Sequence, residues 1–274
     1  MRMRRRELLR VIGGAALTSI ALPAHAADFR FAAIADTGTG GKGQYAVAKV
    51  LADVQARSPL GLVLLGGDNI YDNGEITKIK AVFERPYAPL LKAKVPFYPV
   101  LGNHDVRTNN GEDELRYFKM PGRYYTFNAG GIQFFALDTN VNADWEKQMH
   151  WLEQALSRST APIKIVYGHH PVYSSGHYGN NPRSVRDLAP ILKAHKVTLY
   201  LNGHEHNYER TKLIDGITYL NCGGGAGLRP VGHSEFTALS RSVLHCVVFE
   251  RSGSKLTLTA LGTDGQAFDT VTLG

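Results

Sequence analysis

Cysteine is scarce in this chain of 274 residues: Cys222 and Cys246 are the only two. They lack C-x-x-C spacing, so thiolate metal ribbons and dithiol redox motifs are excluded. An oxidising compartment would allow them to pair, but both lie in apolar strand-like runs that suit buried free thiols equally well. Long apolar runs are also missing. Beyond residue 26, none approaches the ~20 residues that a membrane-spanning helix needs. There is no internal repeat, low-complexity tract or linker, so a single domain is expected. Net charge is modest once the first 26 residues are set aside. They hold five arginines and one glutamate, +4 of the total +7, leaving +3. That is no footprint for nucleic acid. Gly223-Gly224-Gly225-Ala226-Gly227 lacks the Lys and Ser/Thr of a phosphate-cradling loop. It reads instead as backbone that must come close to something.

Residues 1–26 read as an export signal. Met1-Arg2-Met3-Arg4-Arg5-Arg6 is basic, Val11 to Leu22 is a short apolar stretch, and Ala24-His25-Ala26 is a cleavage signal. Arg5-Arg6-Glu7-Leu8-Leu9-Arg10 favours the twin-arginine type; an arginine-rich Sec signal has a similar look. A mature domain of residues 27–274, periplasmic or secreted and free of the membrane after cleavage, is the expectation.

The rest of the chain begins by alternating. Strands are expected at Phe29–Ala35, Leu60–Leu65 and Val95–Leu101, with helical patterns between them at Gln44–Gln55 and at Lys78–Ala93, the latter interrupted by Pro86 and Pro89. That order implies a parallel sheet with crossover helices. Arg107 to Gly122 is a polar excursion. A hairpin follows, Tyr124–Asn128 with Ile132–Leu137 around Gly130-Gly131. A helix from Asp144, a strand at Ile163–Tyr167, a helix at Ser184–His195 and a strand at Val197–Leu201 restore the alternation. After Asn207 the pattern is strands and turns: Tyr208–Leu213, Ile217–Asn221, Val243–Glu250, Leu256–Leu261 and Ala267–Leu273. The class is therefore α/β, with two sheets.

Five predicted strands end in side chains that bind metals: Asp36, Asp68, Asn103, His169 and the pair His204/His206. An Asp after one strand is usually a turn or cap residue. Five such endings at one sheet edge are different, because unpaired carboxylates and imidazoles gathered there need a cation. Asp68, after the run Leu60–Leu65 and the pair Gly66-Gly67, can hold a cation with each oxygen. It is the expected bridge of a dinuclear centre. Tyr71 lies three residues on, within reach of the same point.

In order, Asp36, Gly67-Asp68-x-x-Tyr71, Gly102-Asn103-His104-Asp105, Gly168-His169 and Gly203-His204-x-His206 resemble the five blocks of the metallophosphoesterase superfamily. Tyr71 narrows the resemblance to the purple acid phosphatases. His169-His170-Pro171-Val172-Tyr173-Ser174 is similar to their short, tartrate-resistant form. The resemblance spans residues 29 to about 225. It implies an α/β/β/α sandwich and an acid phosphatase that hydrolyses phosphate monoesters by in-line attack of a metal-bound hydroxide. It also implies that Asp36, Asp68, Tyr71 and His206 hold Fe(3+), and that Asp68, Asn103, His169 and His204 hold divalent iron, zinc or manganese. Donor chemistry agrees: carboxylates and phenolate suit a trivalent ion, imidazoles and an amide oxygen a divalent one. The expected substrates are small phosphate esters or phosphoproteins, met by Asn103, His104 and His177.

His104 is the expected acid or transition-state donor, with Asp105 to orient or charge it. His177 is the expected second substrate contact, and the role of His170 is open. A phosphodiesterase or nucleotidase on the same metals is the alternative enzyme. A secreted binding protein with a purely structural metal site is the alternative of another class.

Overall fold

Alternate residues of β1 (Phe29–Ile34) divide between two cores. Phe31 and Ala33 point one way, Ala32 and Ile34 the other, and all four are fully buried. A strand with both faces covered must be apolar throughout, which is how these runs read. The computed structural model describes residues 29–273; the predicted export signal at 1–26 lies outside the described residues. No helix among the described residues is long and apolar enough to cross a membrane.

β2 (Leu62–Leu65) and β3 (Phe97–Pro99) run parallel to β1, with Phe31 opposite Leu62 and Val63 opposite Phe97. On the other side of β1 the antiparallel strands β11 (His245–Ser252), β12 (Lys255–Gly262) and β13 (Ala267–Leu273) complete a six-stranded sheet. The second sheet has seven strands, in the order β10 (Thr237–Arg241), β8 (Tyr208–Thr211), β9 (Thr218–Cys222), β7 (Leu199–Asn202), β6 (Ile163–Tyr167), β5 (Ile132–Ala136) and β4 (Tyr125–Ala129). β5, β6, β7 and β9 are parallel. β4 turns into β5 through Gly130 and Gly131, both at positive φ, the two-residue turn that matches strand twist.

Phe31, Leu62, Leu64, Phe134, Ile165, Leu199, Leu201 and Phe249 fill the space between the sheets. Val47, Val50, Leu51 and Val54 of α1 (Lys42–Arg57) cover the outer face of the first sheet. Trp145, Met149, Leu152 and Leu156 of α4 (Trp145–Ser157) cover that of the second. The result is the four-layered α/β/β/α sandwich. Cys222 belongs to the inter-sheet core and Cys246 to the layer under α1, so the two are separate buried free thiols.

Three segments differ from the sequence expectation, and a fourth is interrupted as expected. Lys78–Ala93 is the fourth, broken at its prolines. It is a π turn at Lys80–Glu84 and a short α2 (Ala88–Lys92), because Pro86 brings no N–H for the Val82 carbonyl; the buried Gln44 side chain donates to it instead. The polar excursion contains α3 (Glu112–Tyr117), which buries Glu114. β10 is an edge strand that the apolar pattern did not mark. Ser184–His195 also begins as a π turn, at Ser184–Leu188, and only then becomes α5 (Ala189–Ala194).

Candidate metal centre

The carboxyl ends of the parallel strands of both sheets meet at one edge, where open α/β sheets place their ligands. Asp36, Asp68, His204 and His206 sit there at φ of 58°, 52°, 73° and 50°. A left-handed backbone at a non-glycine residue costs roughly 1 kcal/mol or more. It turns the chain back sharply, so that each side chain reaches over the sheet edge. Two glycines make room. A Cβ on Gly102 would overlap Asp68 Oδ1, and one on Gly203 would overlap Asp36 Oδ2.

The predicted ligands form two adjoining groups. In the first, the Tyr71 hydroxyl lies 3.2 Å from Asp36 Oδ1 and 3.0 Å from His206 Nε2, and that nitrogen is 3.3 Å from Asp36 Oδ1. In the second, His169 Nε2 lies 3.1 Å from Asn103 Oδ1, 3.2 Å from His204 Nδ1 and 3.5 Å from Asp68 Oδ2. Backbone groups hold the carboxylates: Asp68 Oδ1 accepts the His104 N–H at 2.9 Å, and Asp36 Oδ2 accepts the His204 N–H at 2.8 Å. His169 Nδ1–H donates to the Gly66 carbonyl at 2.9 Å, which leaves Nε2 with its lone pair facing the cluster.

These residues fit cations. Asp68 Oδ2 is buried and has no hydrogen-bond partner. Its neighbours are the ring nitrogens of His169 at 3.5 Å and His104 at 3.8 Å, so the buried carboxylate has to be balanced by positive charge at that point. Asp36, Asp68 and His169 offer ligand atoms within 4.8 Å of one another. Asp68 is the one carboxylate among the predicted ligands of the second group, and it borders the first.

Without a cation, a proton serves. Burial opposes a charged His169, but the Asp68 carboxylate beside it outweighs burial and raises its pKa to about 10. Asp68 is held well below the carboxylate range: burial works against this, and the charge of His169 wins. Burial and the charge of His169 push His204 down to about 2 and His170 down to about 3. Burial, then Asp36 and Asp68, raise the Tyr71 phenol far above its ordinary value, so its phenolate requires a cation at that point.

His169 must be neutral to ligate, and in the metal-free chain it keeps its proton up to about pH 10. Loading at pH 6 to 8 therefore releases a proton, and affinity weakens as pH falls. Titration calorimetry in two buffers of different ionisation enthalpy measures the release; identical apparent enthalpies would contradict it.

His104 stands at the mouth of the cluster. Its Nδ1–H donates to the Asp72 carbonyl at 2.6 Å, and Nε2 lies 3.8 Å from Asp68 Oδ2. Its ring meets Tyr71 edge-on, 4.5 Å between centroids. Asp105 does not orient it. The buried Asp105 carboxylate accepts the backbone N–H groups of Asn69 (2.9 Å), Ile70 (3.0 Å) and Gly102 (2.8 Å), pinning the loops that carry Asp68 and Asn103. His177 is exposed, packs on Tyr178 and makes no hydrogen bond. Tyr178 is the residue of that loop on the metal edge. It stacks on His204 at 4.2 Å, and Arg229 lies over its ring at 5.1 Å.

Two buried acids that the sequence did not single out hold this loop. Glu205 accepts the Ser174 hydroxyl and the Tyr178 N–H, and Glu209 accepts the Ser175 N–H and the Thr237 hydroxyl. Glycine-rich 223–227 passes directly beneath, with the Gly225 N–H on the Ala35 carbonyl at 3.1 Å, so it brings backbone to the metal edge. A cleft of about 640 Å³ opens beside the first group, between Tyr71, His104, His206, Lys78 and Arg229.

The fold and this donor set define the metallophosphoesterase class, and residues 29–208 match the calcineurin-like phosphoesterase family. Purple acid phosphatase 3 of Arabidopsis thaliana is 31% identical over 231 residues, 72% of this chain and 63% of that protein's length. Human tartrate-resistant acid phosphatase type 5 is 28% identical over 241 residues, 73% of this chain and 74% of its own. Among solved structures, that of GAP50, the anchor in the inner membrane complex of Plasmodium, superposes with a TM-score of 0.78 at 24% identity, covering 90% of this chain and 88% of that one. The chain belongs to the calcineurin-like phosphoesterases and, within them, to the purple acid phosphatases, a family of metal-dependent phosphomonoester hydrolases.

Proposed function

We propose that this chain is an exported acid phosphatase that hydrolyses phosphate monoesters of small molecules or phosphoproteins. The observation that carries the reading is the buried, unpartnered Asp68 Oδ2 at the junction of two ligand groups, beside an open cleft. Asp36, Asp68, Tyr71 and His206 would hold Fe(3+), and Asp68, Asn103, His169 and His204 a divalent iron, zinc or manganese ion. Such a pair supplies Lewis-acid charge for the phosphoryl oxygens and a hydroxide for in-line attack on phosphorus. The chain's own part is positional. Gly66 and the His104 and His204 amides aim the ligands. Asp105 clamps the two loops, and His104 faces the cleft where a leaving group departs. The predicted export signal gives a periplasmic or secreted protein.

Metal analysis with a visible spectrum tests the proposal. Two ions per chain and a tyrosinate-to-iron charge-transfer band are expected, and Tyr71→Phe should abolish the band. A colourless protein with two ions would remove the ferric assignment. Turnover of a diester in preference to a monoester would make it a phosphodiesterase.

A further inference from the structure

Thr139, buried at the end of the second sheet, fixes the state of a histidine outside the predicted ligand set. Its Oγ1 accepts the backbone N–H groups of His169 at 3.1 Å and His170 at 2.9 Å. A hydroxyl oxygen has two lone pairs, and both are engaged. Its one proton is left for His170 Nδ1, 2.9 Å away. Thr139 therefore donates, Nδ1 accepts, and the ring proton of His170 sits on Nε2. The Tyr200 hydroxyl donates to the His170 carbonyl at 2.8 Å and fixes the backbone as well.

His170 stands against the second ligand group, its ring 4.6 Å from that of His204 and 4.9 Å from that of His169. Proximity alone would make it a third imidazole ligand, since ligand atoms of the three lie within 4.8 Å of one another. The Thr139 network argues otherwise. With Nδ1 occupied and Nε2 protonated, neither nitrogen offers a lone pair to a cation. Nε2 makes no hydrogen bond among the described residues and is not among the atoms sealed from solvent. It is an N–H donor without an acceptor, held beside the rings of His169 and His204.

Resting on the dinuclear reading, we propose that His170 is a substrate-binding residue, whose Nε2–H donates to a non-bridging oxygen of the phosphate held at the His169/His204 half. Thr139 is its positioning residue, holding the ring in the donating tautomer. A phosphate oxygen at that half carries charge in substrate and product alike, so the contact contributes to binding of both.

The test uses metal-loaded protein and inorganic phosphate as the probe. In His170→Phe the ring volume is retained and the donor is lost. The inhibition constant of phosphate should rise about tenfold, the size of one hydrogen bond to a charged acceptor. The variant should keep two ions by elemental analysis. His170→Gln, which places an amide N–H near the Nε2 position, should recover most of the affinity. An unchanged phosphate constant in His170→Phe overturns the proposal, and so does the loss of one metal ion, which would make His170 a ligand or a brace. A third readout needs no variant. Nitrogen-15 spectra of labelled wild-type protein should show His170 as the Nε2–H tautomer, and Nδ1–H overturns the assignment. A wild type with a single ion or no monoester turnover defeats the underlying function instead, a different result from any of these.

Discussion

Asp68→Ala is expected to lower kcat/KM for a phosphate monoester by roughly 10⁴-fold, about 5.5 kcal/mol of transition-state stabilisation. Asp68 supplies the only carboxylate among the predicted ligands around His169, Asn103 and His204. Without it that half offers neutral donors alone, and the other half loses a shared oxygen. Elemental analysis should find fewer than two ions per chain. The fold should survive, because the removed Oδ2 is a buried oxygen without a partner, and its loss relieves rather than creates an unsatisfied group. The main new orphan is the His104 N–H, which had bonded to Oδ1. His169 loses the partner that does most to hold its proton; the Asp36 charge and the Gly66 carbonyl remain to oppose burial, and the ring becomes neutral at a lower pH. The melting temperature of wild type should rise with added metal by mass action, whereas that of the variant should not. Two ions retained, with turnover near that of wild type, would remove the bridge from the account.

The site was legible in the sequence where local rules decide it. An apolar run followed by a metal-binding side chain recurs at Asp36, Asp68, Asn103, His169 and His204, with a glycine directly before all but Asp36, and strand geometry delivers each of them to the same edge. The two-sided burial of β1, β2, β6 and β7 was legible for the same reason. What escaped was decided by contacts distant in sequence. Glu114 is buried because its carboxylate meets Asn69, 45 residues away, and no periodicity announces that. Asp105 follows His104 in the chain but faces the Asn69 and Ile70 amides, so sequence adjacency suggested the wrong partner. His177 and Tyr178 are neighbours on one loop. Glu205 and Glu209 anchor that loop from beneath, and their anchoring brings Tyr178, not His177, onto His204.

Fold alone would not separate an enzyme from a binding protein. GAP50, described as an anchor, shares this architecture at a TM-score of 0.78. Activity has to be argued from the site. A structural metal site closes around its ion, whereas this one borders a cleft of about 640 Å³ and carries two histidines, His104 and His170, whose free ring nitrogens are not needed for ligation. A structural site has no use for either.

His104→Ala should separate acid catalysis from ligand support. The substitution removes the ring but keeps the backbone N–H that Asp68 Oδ1 accepts, so both ions should remain bound. The Asp72 carbonyl loses the Nδ1 donor yet keeps the Arg107 guanidinium at 3.1 Å, so no buried acceptor is stranded. What disappears is Nε2, the nitrogen not used in the Asp72 bond, which in the imidazolium form can protonate a departing oxygen. An alkyl phosphate leaves as a basic alkoxide and needs that proton. A nitrophenyl phosphate leaves as a weak base and scarcely does. The expected loss in kcat is therefore roughly 10² to 10³-fold for the alkyl ester and under ~10-fold for the nitrophenyl ester. The plot of rate against leaving-group pKa should steepen in the variant. Equal losses on the two esters, with metal content unchanged, would reduce His104 to a wall of the cleft, its ring serving only to pack against Tyr71.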